Sequence, residues 1–305
     1  MVLNFRDFRG ILPLYQSVFG RIVRFHTLCE IARPKNKKRY FIPMFPETIQ
    51  PLYIVSGFAV GFLVGMTGVG GGSLMTPLLI LLFKVNPVTA VGTDLIYAAV
   101  TKSGGSLVHG LNRTVDWRVV GRLAAGSIPA SLATMALLWL LDVDRAAYSQ
   151  IVTKVLGVAL LLTAGALLMR RRLLATYASR IGVLTEAQTA YYTVIVGLVL
   201  GVMVTVSSVG AGALGVTALL LLYPDLPVVK IAGSDIAHAV PLTLVAGLGH
   251  LASGGVDMPV LVSLLMGSLP GIMLSSLFAP RLPDTALRLV LAVTLVIVAL
   301  RLLVS

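Results

Sequence analysis

Charge is scarce in this chain. Asp, Glu, Lys and Arg make up only 12% of its 305 residues, about half the share of an ordinary soluble domain. Cysteine is scarcer still: Cys29 stands alone, which excludes intramolecular disulfides and thiolate-ligated zinc or iron–sulfur clusters. No Gly-x-Ser-x-Gly elbow, His-Glu-x-x-His pair or glycine-rich loop ending in Gly-Lys-Ser/Thr occurs. Those absences remove the local signatures of an esterase, a zinc protease and a nucleotide loop, and neither enzyme chemistry nor a cofactor or metal is expected.

Apolar residues dominate instead, at 57% of the chain with a mean hydropathy of +0.95, as in an integral membrane protein. Eight spans of about 20 residues use about 160 positions, leaving short connections after the first 50 residues and no room for a separate soluble domain. The net charge of +12 is concentrated beside apolar spans. Residues 1–50 hold nine Lys/Arg against three Asp/Glu, and 170–186 hold four Arg against one Glu. That placement suits topology anchors and speaks against a nucleic-acid-binding face.

Four segments are expected: an arm (1–50), a first transmembrane repeat (51–169), a basic cytoplasmic linker (170–188) and a second repeat (189–305). In the arm, Ile11, Tyr15, Val18, Ile22 and Phe25 form a stripe at helical spacing, and Arg21, Arg24 and His26 interrupt any signal-peptide core. An amphipathic helix lying on anionic lipid fits this pattern. Beyond Pro51, apolar runs cover 52–83, 88–108, 119–141, 147–169, 189–223, 228–251, 258–279 and 285–304. The first and fifth are too long for one span, and both are interrupted by glycines, at Thr67-Gly-Val-Gly-Gly-Gly-Ser73 and Ser207-Ser-Val-Gly-Ala-Gly-Ala213. Consecutive glycines disfavour helix, so each run is expected to split in two.

A shift of 140 residues lays Val69-Gly70 on Val209-Gly210, Gly72 on Gly212 and Pro87 on Pro227. One residue more, and Gly92 falls on Gly233, Asp94 on Asp235, His109 on His250, Asp116 on Asp257 and Gly126-Ser127 on Gly267-Ser268. Shared hydrophobicity alone does not align so many polar positions. The expected fold is therefore an all-α polytopic membrane protein of about eight segments in two four-segment repeats, with discontinuous first and fifth segments, a plan common among secondary transporters.

Gly61-Phe-Leu-Val-Gly65, the Gly-Val-Gly-Gly-Gly turn and Val91-Gly-Thr-Asp94, with a weaker copy in the second half, resemble the sulfite exporter TauE/SafE family over about residues 50–305. The resemblance implies an anion permease, with members associated with sulfite, sulfonates and other organosulfur acids. The second copy departs from the pattern, with Ala211 in place of a glycine and Ser207-Ser208 where the first has Thr67-Gly68.

The interruptions are the first candidate site. Helix starts at mid-membrane present unpaired N–H groups, and successive glycine amides form an anion-binding concavity. Thr67, Gly70, Gly71, Gly72, Ser73, Ser207, Ser208, Gly210 and Gly212 are the expected substrate ligands, the hydroxyls adding donors. Close packing of small residues is the competing explanation. Asp94 and Asp235, carboxylates in apolar spans, are expected to couple ions or to accept N–H groups of the glycine breaks. Lys102 follows Asp94 by two helical turns and is expected to draw the anion or to neutralise Asp94, while Thr243 fills its place in the second half. His238, one turn after Asp235, either completes a titratable couple or is a histidine hydrogen-bonded inside the bundle, the second being the favoured reading. His109 and His250 are expected at the membrane interface, capping their helices. An enzyme reading, with Ser208 and His238 or Ser106 and His109 paired, has no third orienting group.

Single crossings by both broken runs place both termini and the Arg170-Arg171-Arg172 linker in the cytoplasm and are the expected topology; re-entrant hairpins would invert the repeats. The reading is an inner-membrane exporter of a small anion working by alternating access, alone or as a homo-oligomer, with lipid and the anion as partners. Coupled uptake of a small organic anion, or an anion channel, are the alternatives.

Overall fold

The computed structural model describes residues 50–67, 72–140, 145–180, 184–278 and 284–304; the expected interfacial arm lies outside them, as do Gly70 and Gly71. The described residues form ten helices and no strand: α1 Pro51–Thr67, α2 Gly72–Leu81, α3 Pro87–Leu111, α4 Trp117–Leu140, α5 Arg145–Arg180, α6 Glu186–Ser207, α7 Ala213–Leu222, α8 Val228–Ala252, α9 Met258–Phe278 and α10 Asp284–Val304. Trp117–Leu140, Ala146–Met169, Glu186–Ser207, Val228–Ala252 and Met258–Ser275 are long and apolar enough to cross a membrane. Helix α3 has the length, at 25 residues, but carries Thr93, Asp94, Thr101, Lys102 and Ser103 in its interior. It tolerates them because the bundle covers Thr93, Asp94 and Lys102. Helix α5 continues through Arg170–Arg172 to Arg180.

Both apolar runs break where the glycines stand, but the chain turns back there instead of continuing. Tyr53, in the first turn of α1, stacks on Phe83 just past α2, with ring centroids 4.2 Å apart. At the equivalent place in the second half, Thr193 Oγ1 lies 2.9 Å from the hydroxyl of Tyr223, the residue that ends α7. Near the turn, Leu200, Met203 and Val204 of α6 pack against Gly210. Each run is a helical hairpin that enters and leaves on one face. The expectation of single crossings is therefore corrected: hydropathy records apolar length, whereas the closing contacts at 53/83 and 193/223 fix direction.

Helices α3 and α8 lie antiparallel and exchange reciprocal contacts. Gly92, early in α3, abuts His250 and Gly255 at the end of α8, and Gly233, early in α8, abuts His109 and Thr114 at the end of α3. The Asp257 N–H donates to Thr93 Oγ1 at 3.0 Å, and the Asp116 N–H donates to Ser234 Oγ at 2.8 Å. These four contacts map onto one another under the 141-residue shift. The outer pairs do the same: α1 runs parallel to α9, with Gly57 on Leu264 and Gly61 on Ser268, and α6 runs parallel to α4, with Gly197 on Leu123 and Gly201 on Ser127. Glycine permits the close approach, because a Cβ at these positions would meet partner backbone. In hydrocarbon such packing carries much of the association that apolar burial supplies in water.

Hairpin depth follows from two further contacts. Thr76 of α2 meets Asp94, and Gly215 of α7 meets Asp235. Both acids are the eighth residue of a 25-residue helix. Extending back four or five residues from these contacts, about 7 Å, brings the start of α2 and the turn before α7 level with the middle of α3 and α8. The start of α6 lies at the opposite end of the bundle from Tyr53: Glu186 contacts Arg122 at the foot of α4. Pro51 and Glu186 are thus at opposite ends of the bundle. The expectation that the N-terminal side and the arginine linker share the cytoplasm is corrected for the same reason.

Two measurements check this arrangement. In a Cys29→Ser background, cysteines at Gln50 and Lys84 should react with a membrane-impermeant maleimide from the same side, and cysteines at Glu186 and Asp225 from the other; labelling of Gln50 and Lys84 from opposite sides would restore the single crossing. Gly201→Leu should lower the thermal midpoint, by the roughly 1–3 kcal/mol typical of overpacking, whereas Gly104→Leu, where a Cβ meets nothing, should leave it unchanged.

Candidate functional site

The second hairpin tip is built from its sequence residue by residue. Ser207 ends α6; its hydroxyl donates to Met203 O at 2.7 Å and accepts from the Val209 N–H at 3.3 Å. Ser208 then adopts a left-handed conformation, φ 58 and ψ 3, which is uncommon for a residue with a Cβ and strained by about 1 kcal/mol or more. Gly210 and Gly212, at φ 132 and 128, occupy backbone space that side chains disfavour, so these positions require glycine. Helix α7 is started by Gly215 N–H to Gly210 O and Val216 N–H to Gly212 O, at 3.2 and 2.8 Å. The N–H groups of Gly210, Ala211, Ala213 and Leu214 find no acceptor among the described residues. They gather at one helix start, where the dipole favours an anion.

Side chains converge on this tip from α3 and α8. Lys102, 8% exposed, donates from Nζ to Ala211 O at 3.2 Å. Asp94 is fully buried; its Oδ2 accepts from Thr76 Oγ1, the Ser208 hydroxyl faces it, and its Oδ1 has no partner. Ser208 Oγ also completes no hydrogen bond of ordinary geometry. Asp235 rests against Gly215 and faces the Gly212 N–H, its Oδ1 likewise unpaired. The Lys102 ammonium lies within electrostatic range of both carboxylates. His238 Nε2 is 2.7 Å from Ser127 Oγ of α4, and its Nδ1 has no partner.

Of the expected site residues, the structure brings Asp94, Lys102, Ser207, Ser208, Gly210, Gly212, Asp235 and His238 to one region. Thr67 closes α1, and Gly72 and Ser73 open α2; Gly70 and Gly71 fall outside the described residues. Thr76 and Ser127 escaped the sequence reading. A closed hairpin would have placed Thr76 opposite Asp94, and Ser127 belongs to the duplicated Gly126-Ser127 and Gly267-Ser268 pair. The paired histidines are corrected in part. His250 is 1% exposed and its Nε2 lies 2.9 Å from Thr205 O of α6, so it ties two helices together and does not cap an interface. His109, partly exposed, keeps to its own helix end with Nδ1 2.8 Å from Thr114 Oγ1. The Ser208–His238 pairing of the enzyme reading does not form, because Ser127 holds the histidine. Among the described residues no group of three His, Cys, Asp or Glu is placed to hold a metal.

The family model described as Sulfite exporter TauE/SafE matches residues 53–302, the whole helical body. The chain belongs to the TauE/SafE family. This TauE/SafE protein is 35% identical over 253 residues to the Bacillus subtilis (strain 168) "Probable membrane transporter protein YjnA", covering 82% of this chain and 98% of that one. It is 25% identical to the same organism's "Probable membrane transporter protein YdhB" (83% and 99%) and 28% identical to a Xylella fastidiosa (strain 9a5c) "Probable membrane transporter protein" (77% and 87%). No solved structure matches. The TauE/SafE chain is thus a membrane transporter.

The Thr76 contact is testable apart from transport. Thr76→Val keeps the shape but strands a buried carboxyl oxygen, and should cost about 1–3 kcal/mol by thermal unfolding in detergent. Thr163→Val, whose hydroxyl bonds only Ala159 O of its own helix, is the matched control and should cost less.

Proposed function

We propose that this protein is a secondary transporter that exports a small oxyanion, sulfite or an organosulfonate, across the inner membrane. The observation that carries this reading is the second hairpin tip: free amides at a mid-depth helix start, beside the buried ammonium of Lys102. An oxyanion supplies several acceptors to such a cluster, and an unsatisfied donor there costs several kcal/mol. The Ser208 hydroxyl adds a donor able to turn toward the anion. By the repeat symmetry, Thr67, Gly70, Gly71, Gly72 and Ser73 supply a second half-site at the first tip. Family membership supports the substrate class.

In this reading each repeat crosses three times, by α3–α5 and α8–α10, and contributes one re-entrant hairpin. Two inverted repeats of that form suit alternating access, in which exchange of their conformations opens the tips to one face and then the other. Charge in the short loops between helices argues for orientation: Arg113, Arg118, Arg122, Arg170–Arg172 and Lys230 belong to one face, which is assigned to the cytoplasm against the nine Lys/Arg of residues 1–50. Both ends of the helical body, with Lys84 and Arg301, then lie on the opposite face. An inside-negative potential drives an anion outward by about 2.3 kcal/mol per charge per 100 mV, so export needs no coupling ion. Coupled uptake is favoured by one observation, the pair of buried carboxylates beside the tip.

Proteoliposomes loaded with labelled sulfite should show saturable efflux that accelerates when the potential opposes anion retention, and counterflow should exclude a channel. Lys102→Met and Gly212→Val should each reduce the flux at least tenfold, a loss of about 1.4 kcal/mol, with the protein still monodisperse. Unchanged flux in both variants would remove the tip from the mechanism.

A further inference from the structure

One turn beyond Asp235, a buried histidine has a ring nitrogen with nothing to bind. His238 of α8 is 0% exposed; its Nε2 lies 2.7 Å from Ser127 Oγ of α4, and its Nδ1 has no partner. The neighbouring hydroxyl decides which nitrogen carries the hydrogen. Thr134, further along α4, returns its O–H to Ala130 O of its own helix, but Ser127 Oγ makes no hydrogen bond among the described residues except the one to His238. Its single O–H therefore donates to Nε2, and the ring hydrogen sits on Nδ1. The opposite tautomer would strand two groups, the serine O–H and Nδ1, where this one strands only the Nδ1–H. An imidazolium would also strand the serine O–H, and would set a second cation near Lys102, which lies within electrostatic range of the ring.

That N–H stands at the height of the second tip. The short 223–227 connection sets α7 antiparallel to α8, and Gly215 meets Asp235, so one turn back along α7 and one turn on along α8 bring Gly212 level with His238. The amides of Gly210, Ala211, Ala213 and Leu214 that find no acceptor belong to the same turn, and the Lys102 ammonium is held there by Ala211 O. Asp235 Oδ1 does not take the N–H, since both atoms are without a partner. The repeat gives a second view of the arrangement. The 141-residue shift lays His238 on Tyr97 and Ser127 on Ser268, and the buried Tyr97 phenol faces Ser268. In both copies the serine comes from the opposite repeat. A phenol has one polar atom and turns it to its serine, whereas an imidazole has two, and the second is left for a solute.

We propose that His238 Nδ1–H is a substrate ligand, a neutral donor to an oxygen of the bound oxyanion, and that Ser127 is the positioning residue that holds the ring in its donating tautomer. The inference deepens the transporter reading above and rests on it for the class of anion. A donor buried at this depth needs an acceptor, and sulfite or a sulfonate carries several oxygens that point in different directions. The tip amides, the ammonium and the imidazole can each take a different one; a halide has no separate oxygens to distribute. The histidine stays neutral with and without the anion, so it adds no coupled proton to export.

The full-length protein in lipid, with isotope-labelled histidine nitrogens, tests this by solid-state NMR; the His238 signals are those missing from His238→Gln. In the parent protein they should be those of a neutral ring protonated at Nδ1, and the Nδ1 resonance should move on titration with sodium sulfite and not with sodium chloride at equal ionic strength. Ser127→Ala should turn them into a mixture of tautomers, which a serine with a packing role alone would not do. Binding of labelled sulfite is the second arm. Gln places its amide where Nε2 stands, keeping the serine contact and losing the Nδ1 donor, while Asn places its amide where Nδ1 stands. His238→Gln should weaken sulfite binding by about tenfold or more, as for loss of a hydrogen bond to a charged acceptor, and His238→Asn should weaken it less. A ring protonated at Nε2, an Nδ1 resonance that ignores sulfite or answers chloride equally, or binding at least as weak in His238→Asn as in His238→Gln would each overturn the assignment. Sulfite flux without an Nδ1 response would strike this assignment alone; an Nδ1 response in a protein that carries no sulfite would strike the transporter reading and leave the ligand in place.

Discussion

Every backbone N–H and C=O placed in hydrocarbon needs a partner supplied by protein or by something the protein holds. The rest of the architecture answers that demand. Where the second apolar run breaks, amides are released level with the middle of the long helices, and the molecule surrounds them with groups chosen for polarity in an otherwise apolar bundle. Ser207 takes up Val209 N–H, Asp235 faces Gly212 N–H, and Lys102 caps the Ala211 carbonyl. The amides left over are the basis of the proposed anion site. Site and fold are thus two outcomes of one constraint.

Reciprocity between the halves keeps the tips in place. Each hairpin is held by its own long helix through an acid and by the other repeat through glycine contacts, Gly57 and Gly61 on α9, Gly197 and Gly201 on α4. The loops after α3 and α8 are pinned by hydrogen bonds to Ser234 and Thr93 of the opposite repeat. Neither half buries its polar residues alone. Movement of one repeat therefore changes the surroundings of both tips, and the hydrogen-bonded loops are where such motion would be resisted.

Sequence reading found which polar residues gather better than it found the path of the chain. Asp94, Lys102, Asp235 and the glycine breaks stood out because a polar or flexible residue is conspicuous in an apolar run, and the 140–141-residue shift marked several of them twice. Direction left no such trace. A 22-residue apolar helix such as α6 satisfies the length of a span whether or not the chain crosses, and the evidence of reversal resides in contacts such as Tyr53 on Phe83 that no periodicity encodes. Thr76 and Ser127 were invisible for a related reason, being ordinary hydroxyl residues whose roles come from the helix opposite. His250 looked interfacial from its place at a helix end, but the neighbouring repeat covers that end.

The antiparallel pairing of α3 with α8 also bears on descent. Two copies of a segment with an odd number of crossings, joined end to end, come out upside down with respect to each other without any added span. A single half-length polypeptide able to insert either way up could have formed the same pair from two separate molecules, and fusion of the genes would have fixed one orientation for each. Once fused, the copies were free to diverge, and a lysine at 102 matched by a threonine at the equivalent position 243 is the mark of that freedom: a dimer of identical chains must place the same side chain on both sides of its axis, whereas a single fused chain need not.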